Sequence, residues 1–199
     1  IDYTALNQQD FILINEAEQF SSGLINSLNK FTKNGGSIAI FPPNNIDLTT
    51  YNSSLKQLGI STLSELKSNN TSIDKINRNH PIYKHVFDGK LDKINFPAVK
   101  QYHQIITQNN SNSIALLTQG NKAVFLESFL KGKGLIYLFN SPLNSKYNNF
   151  SKHALFVPTL LNMATSAVRV ESIYNTIRPE DYFSSSRANN NTAIVHLKN

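Results

Sequence analysis

The sequence predicts an α/β domain built on an open sheet, and three observations carry that reading. Residues 10 to 41, DFILINEAEQFSSGLINSLNKFTKNGGSIAIF, run as strand, loop, amphipathic helix, glycine turn and strand. From about Val99 the pattern changes to short strand-like runs separated by glycine turns. A chain of 199 residues with 40% hydrophobic content can bury a substantial core.

The elements follow in order. Phe11 to Ile14 is a short, continuous, β-branched apolar run, as expected for a parallel strand covered by helices on both faces. Ser21 or Ser22 can cap the next helix, in which Leu24, Leu28 and Phe31 share one stripe. Asn34-Gly35-Gly36 ends it, since glycine accepts the left-handed conformation that follows a helix. Ile38 to Phe41 makes a second buried strand, stopped by Pro42-Pro43. A right-handed crossover should leave these two strands parallel and adjacent or nearly so.

Leu48 to Leu58 reads as a second helix, and the polar stretch from Ser61 to Thr71 as an irregular surface segment. Asn79-His80-Pro81-Ile82 starts a turn leading into a short element through Phe87. Strands are expected at Tyr102 to Thr107, Ile114 to Thr118, Ala123 to Phe129 and Leu135 to Phe139. Gln119 to Lys122 and Lys131 to Gly134 should close hairpins between the last three, so this half is expected to be antiparallel. Residues 154 to 170 form a long apolar helix with Pro158 confined to its first turn. Residues 1 to 170 are thus expected to be one domain. Residues 171 to 199 should be a linker and the start of a following β region, with a strand at Thr192 to Leu197.

Charge is unevenly placed. Residues 1 to 29 carry Asp2, Asp10, Glu16 and Glu18 with no lysine or arginine, although the whole chain is formally +6. The lysines elsewhere are scattered and arginine is scarce, which argues for a solvated basic surface and against nucleic-acid binding. The absence of cysteine excludes disulfides, thiolate metal sites and cysteine nucleophiles. No apolar run approaches the roughly 20 residues that span a bilayer. Because the chain begins at Ile1, it reads as a fragment whose flanks could hold targeting or membrane segments.

The opening stretch, NHPIYKHVF, and FLKGKGLIYLFNSPLNSKYNNFSKHALFVPTLLNMA together resemble the class I glutamine amidotransferase-like domains of bacterial, Bacteroidetes-type, aerotolerance-regulator-like membrane proteins. The resemblance covers roughly residues 5 to 170 and rests on the order and spacing of the pieces. It implies a flavodoxin-like open parallel sheet flanked by helices, with an antiparallel β addition in the second half and an early strand upstream of Ile1. It also implies a place on the periplasmic face of the cell envelope, in a protein held to the membrane by segments outside this chain. Protein partners or other domains of the same chain are the partners it suggests.

Class I amidotransferases attack glutamine with a cysteine on a strand-to-helix elbow, paired with a histidine. The corresponding turn, Phe41-Pro42-Pro43-Asn44-Asn45, has neither cysteine nor serine, and no G-x-S-x-G occurs elsewhere. Open α/β sheets bind ligands beyond the carboxyl ends of their strands. Asn15 and Glu16 follow one strand, Asn44 the next, and Asn140, Ser141 and Asn144 follow Phe139, with His153 near the start of the long helix. Ser141, His153 and Glu16 carry the groups for nucleophilic catalysis, but Ser141-Pro142 reads more simply as a turn. No residue is therefore assigned a catalytic role, and Asn15, Glu16, Asn44, Ser141 and His153 stand as candidate ligand contacts.

His80, His85, His103, His153 and His196 are dispersed, without the spacing of a helical zinc pair, and no metal is expected. No glycine-rich phosphate loop opens a helix, so no cofactor is expected either. Tyr147, Phe150 and Phe156 could line a groove, although core packing accounts for them more simply. Three functions follow: a non-catalytic binding or scaffolding domain, a hydrolase using Ser141 or Glu16 with His153, and a small-ligand sensor.

Overall fold

The computed structural model describes residues 3–84, 86–87, 95–107 and 112–167. The chain divides into a compact unit, Ile1–Arg169, and a second unit, Val170–Asn199, so the expected β region beyond residue 170 lies outside the described residues. After a 3-10 turn at Tyr3–Gln8 come β1 (Phe11–Asn15), α1 (Ser22–Lys33), β2 (Ser37–Phe41), α2 (Leu48–Leu58), β3 (Thr62–Ile76), β4 (Ala98–Ile106), β5 (Ser113–Gln119), β6 (Val124–Lys131), β7 (Gly134–Phe139) and α3 (Phe156–Ala167). A seven-stranded mixed sheet joins them in the order β1-β2-β7-β6-β5-β3-β4. The first three strands are parallel and the remaining pairs antiparallel.

Local chemistry explains the opening crossover. Ser21 accepts a hydrogen bond from the Leu24 amide at 3.2 Å and starts α1, whose face of Ile25, Leu28, Phe31 and Thr32 is buried. Gly59 ends α2 with φ +68°, a conformation that costs a side chain-bearing residue energy. Gly134 opens β7 so close to α1 that a Cβ there would press on the carbonyl oxygens of Gly36 and Thr32.

Alternation along β2 and β7 divides the core between the two faces of the sheet. Ile38, Ile40, Ile136 and Leu138 pack with Leu28, Phe31, Leu55 and Leu58 of α1 and α2. Ala39, Phe41, Tyr137 and Phe139 pack on the other face with Phe150 and with Met163 of α3. Phe41 and Phe139 stack there at 3.9 Å, and Phe125 meets Phe150 edge-on at 5.3 Å. Tyr147 and Phe150, candidates for a groove, are buried.

Two local expectations change. The polar stretch at 61–71 belongs to the 15-residue strand β3, with Lys67 to Asn70 exposed. Backbone pairing with β4 holds it, from Thr62↔Ile106 to Ser72↔Ala98, before the strand shifts to β5 through Ile73↔Gln119. β1 is an edge strand with Leu13 40% exposed, rather than one buried on both faces. α3 buries Thr159, Met163 and Ala167, while Val157 and Leu161 remain exposed.

Candidate functional site

The carboxyl ends of β1, β2 and β7 form the rim where an open sheet of this kind binds ligands. Asn15 ends β1 and is exposed; Glu16 follows with φ +52°, its amide donating to the Phe41 carbonyl at 2.9 Å. Asn44, after β2, is exposed. Asn15 and Glu16 lie beside the end of β2 because β1 and β2 are in register, Asn15 opposite Phe41.

Beyond β7 the rim is closed by the ribbon of β3 and β4. The His103 amide donates to the Asn140 carbonyl at 2.7 Å. Its ring, 1% exposed, lies with Nδ1 2.8 Å from the Ser64 carbonyl and Nε2 3.0 Å from the Pro43 carbonyl. The ring thus ties β4 to β3 and to the loop after β2. Both neighbours are acceptors, so a neutral imidazole donates to one of them and an imidazolium to both.

Ser141 is likewise committed. Its buried hydroxyl donates to the Gln101 carbonyl at 2.8 Å and accepts from Asn148 Nδ2 at 2.9 Å. Asn148 also donates to the Pro142 carbonyl and accepts from the Phe150 amide, holding the loop after β7 in one shape. His153 is engaged elsewhere: Nε2 meets the Asn95 carbonyl, and Nδ1 accepts from the Leu155 amide at 3.1 Å. Ser141, His153 and Glu16 therefore have no hydrogen bond to one another among the described residues. A nucleophile whose base is bonded to backbone instead lacks the contact that activates it.

His103 is the residue that sequence reasoning passed over. It stands in an ordinary alternating strand, and its partners, Pro43 and Ser64, are brought to it only by the fold of the ribbon. Glu127 was missed for a similar reason. It is buried in β6, with Oε1 accepting from Thr107 Oγ1 at 3.2 Å and Oε2 unpartnered among the described residues. Asn140 Oδ1 and both polar atoms of the Gln119 side chain are also buried without a partner among the described residues.

Three clefts border the described residues, and neither Glu16 nor Asn44 lines any of them. One of about 570 Å³ is bordered by Asp10, Lys30, Lys33 and Lys133, at the amino end of the parallel strands. Others of about 350 and 370 Å³ lie between α1 and α2 and on the ribbon beside Asn69 and Lys146. Among the described residues no group of three histidine, aspartate or glutamate side chains could hold a metal ion. No described helix is long and apolar enough to cross a membrane. Burial pushes the pKa of Tyr51, Tyr83 and Tyr137 up and that of His80 down; Thr50, through its backbone amide and side chain, holds that of Asp47 down.

No protein-family model and no curated protein sequence matches the chain. Solved structures do. Cytoplasmic Protein STM1381 from Salmonella typhimurium LT2 is 13% identical with a TM-score of 0.63, and Cytoplasmic Protein STM3548 from Salmonella typhimurium 14% with 0.62. Each match covers 83% of this chain and 74% of the other. A cold-adapted β-galactosidase from Rahnella sp. R3 is 15% identical with a TM-score of 0.55, over 79% of this chain and 22% of the enzyme. At such identities the likeness is one of fold, and it assigns the chain to the mixed α/β class.

Proposed function

We propose that this chain is a non-catalytic, class I glutamine amidotransferase-like domain with a flavodoxin-like sheet, serving as a binding or scaffolding module of a larger envelope protein. The observation that carries the reading is the closed rim. Ser141, His153 and His103 spend their polar atoms on backbone carbonyls, amides and Asn148, which tie the ribbon of β3 and β4 to the loops after β2 and β7. The parallel run β1-β2-β7 supports the flavodoxin-like assignment, and the lack of cysteine removes the nucleophile of the enzymatic relatives. A fold does not carry its relatives' chemistry when the site is built differently. The match to about a fifth of a galactosidase chain fits a fold that is used as one part of a larger protein.

The test is hydrolysis of glutamine, a nitrophenyl ester and a nitrophenyl galactoside by the purified chain. Rates should equal those of the Ser141→Ala and His153→Ala variants for all three. Turnover that disappears with either substitution would overturn the reading. The envelope placement is tested separately, by fractionating cells that express the full-length protein; recovery of the domain in the soluble cytoplasm would refute it.

A further inference from the structure

We propose that the outer edge of β1 is a strand-docking site for an extended, basic segment of another polypeptide, an inference that rests on the binding-module reading and names its partner chemistry. The Asp10 carbonyl accepts from the Ser37 amide and the Glu16 amide donates to the Phe41 carbonyl. In a strand successive peptide groups point to opposite sides, so the even-numbered residues face β2. Phe11, Leu13 and Asn15 therefore turn their amides and carbonyls outward, where β1 has no neighbouring strand among the described residues.

Edge strands are normally blunted by lysine, proline, a bulge or a covering element. The strand FILIN has none of the first three: it holds no charge and no proline, and its five residues pair with β2 without a register shift. Leu13, on the face that packs against α3, is 40% exposed and offers an apolar contact to an added strand. Backbone pairing would supply affinity, and contacts with alternate side chains specificity.

Charge selects the partner. No lysine or arginine occurs at 1–29 or at 34–55, whereas Glu16, Glu18 and Asp47 stand in the segments that follow β1 and β2. α3 carries no charged residue, so it offsets none of this. At the opposite, amino end of the strand Lys30, Lys33 and Lys133 line a cleft with Asp10. A second copy of β1 paired in parallel would bring Glu16 and Glu18 beside their own counterparts, which disfavours that arrangement, while lysine or arginine flanking a partner strand would meet Glu16 and Glu18.

The test is hydrogen exchange of the full chain with a blocked heptapeptide alternating lysine and valine, against a glutamate and valine counterpart. The lysine peptide should slow exchange at Phe11, Leu13 and Asn15 about tenfold or more. Its binding should weaken about tenfold in the exposed-site variant Glu18→Lys and in Leu13→Lys, each checked for folding by circular dichroism. Equal protection by both peptides, or unchanged binding in both variants, would overturn the proposal. So would amides already protected in the free chain, with sedimentation telling a dimer from a segment of the chain's own. Those failures leave the non-catalytic reading intact; turnover dependent on Ser141 would overturn that reading and leave the edge result standing.

Discussion

At the carboxyl rim the carbonyls of Pro43, Ser64, Gln101 and Asn140 are met by the His103 ring, the Ser141 hydroxyl and the His103 amide, whereas the outer edge of β1 leaves its odd-numbered peptide groups facing outward. The rim is assembled from loops and strands distant in sequence, so its closure depends on the whole fold. The edge is a property of five consecutive residues. On the reading proposed above, a domain of this fold keeps the sheet, loses the rim as a ligand site and still presents a surface for association.

The sharpest way to break this contrast is at Asn148, which is buried and makes three hydrogen bonds across the loop after β7. Asn148→Ala should cost about 2–4 kcal/mol of stability, because it orphans buried partners. Urea denaturation measures it, and a loss under 1 kcal/mol would mean that the rim is not held as described. His103→Ala should follow at about 2–3 kcal/mol, with faster amide exchange along β4 and no matching change at Leu13. Ser141→Ala should cost about 1 kcal/mol, since the Gln101 carbonyl and Asn148 lose one partner each.

At the open edge the expected effects are smaller. Leu13→Ser should shift stability by no more than about 0.5 kcal/mol, the usual range for a substitution away from the core. A larger loss would reveal packing on β1 that its exposure does not suggest. The smallest effect concerns His80, whose pKa is lowered by burial. Its contribution is present above the unfolded value of about 6.5 and is lost as pH falls through the folded value, because the unfolded chain takes up the proton first. A His80→Asn variant should show a flatter decline in stability below about pH 6.5 than the parent, measured by thermal melts at stepped pH.

Much of the parallel half was legible because its signals are local. Ser21, Gly35 and the apolar run of β2 each act within a few residues, and the structure uses them as read. The glycine hairpins between β5, β6 and β7 were legible for the same reason. β3 was not, because Lys67 to Asn70 are exposed and their strand geometry comes from β4, with Lys67 opposite Tyr102. The edge position of β1 was also hidden: an apolar run says that a strand can be buried, not how many neighbours cover it. Asn15 and Glu16 fall at the end of β1 and Asn44 in the loop after β2, positions that the local strand signals give, while the contacts of His103 needed the three-dimensional return of the ribbon.

The pairing of Ile38 with Ile136 has a consequence for how the molecule comes into being. During synthesis β1, α1, β2 and α2 emerge well before β7, so the first two strands must wait, with one side of β2 unsatisfied, until the antiparallel half is made. Because contacts so far apart in sequence close slowly, the late arrival of β7 should set the pace of folding. The nascent amino-terminal half is then the period of greatest exposure to aggregation and to chaperones.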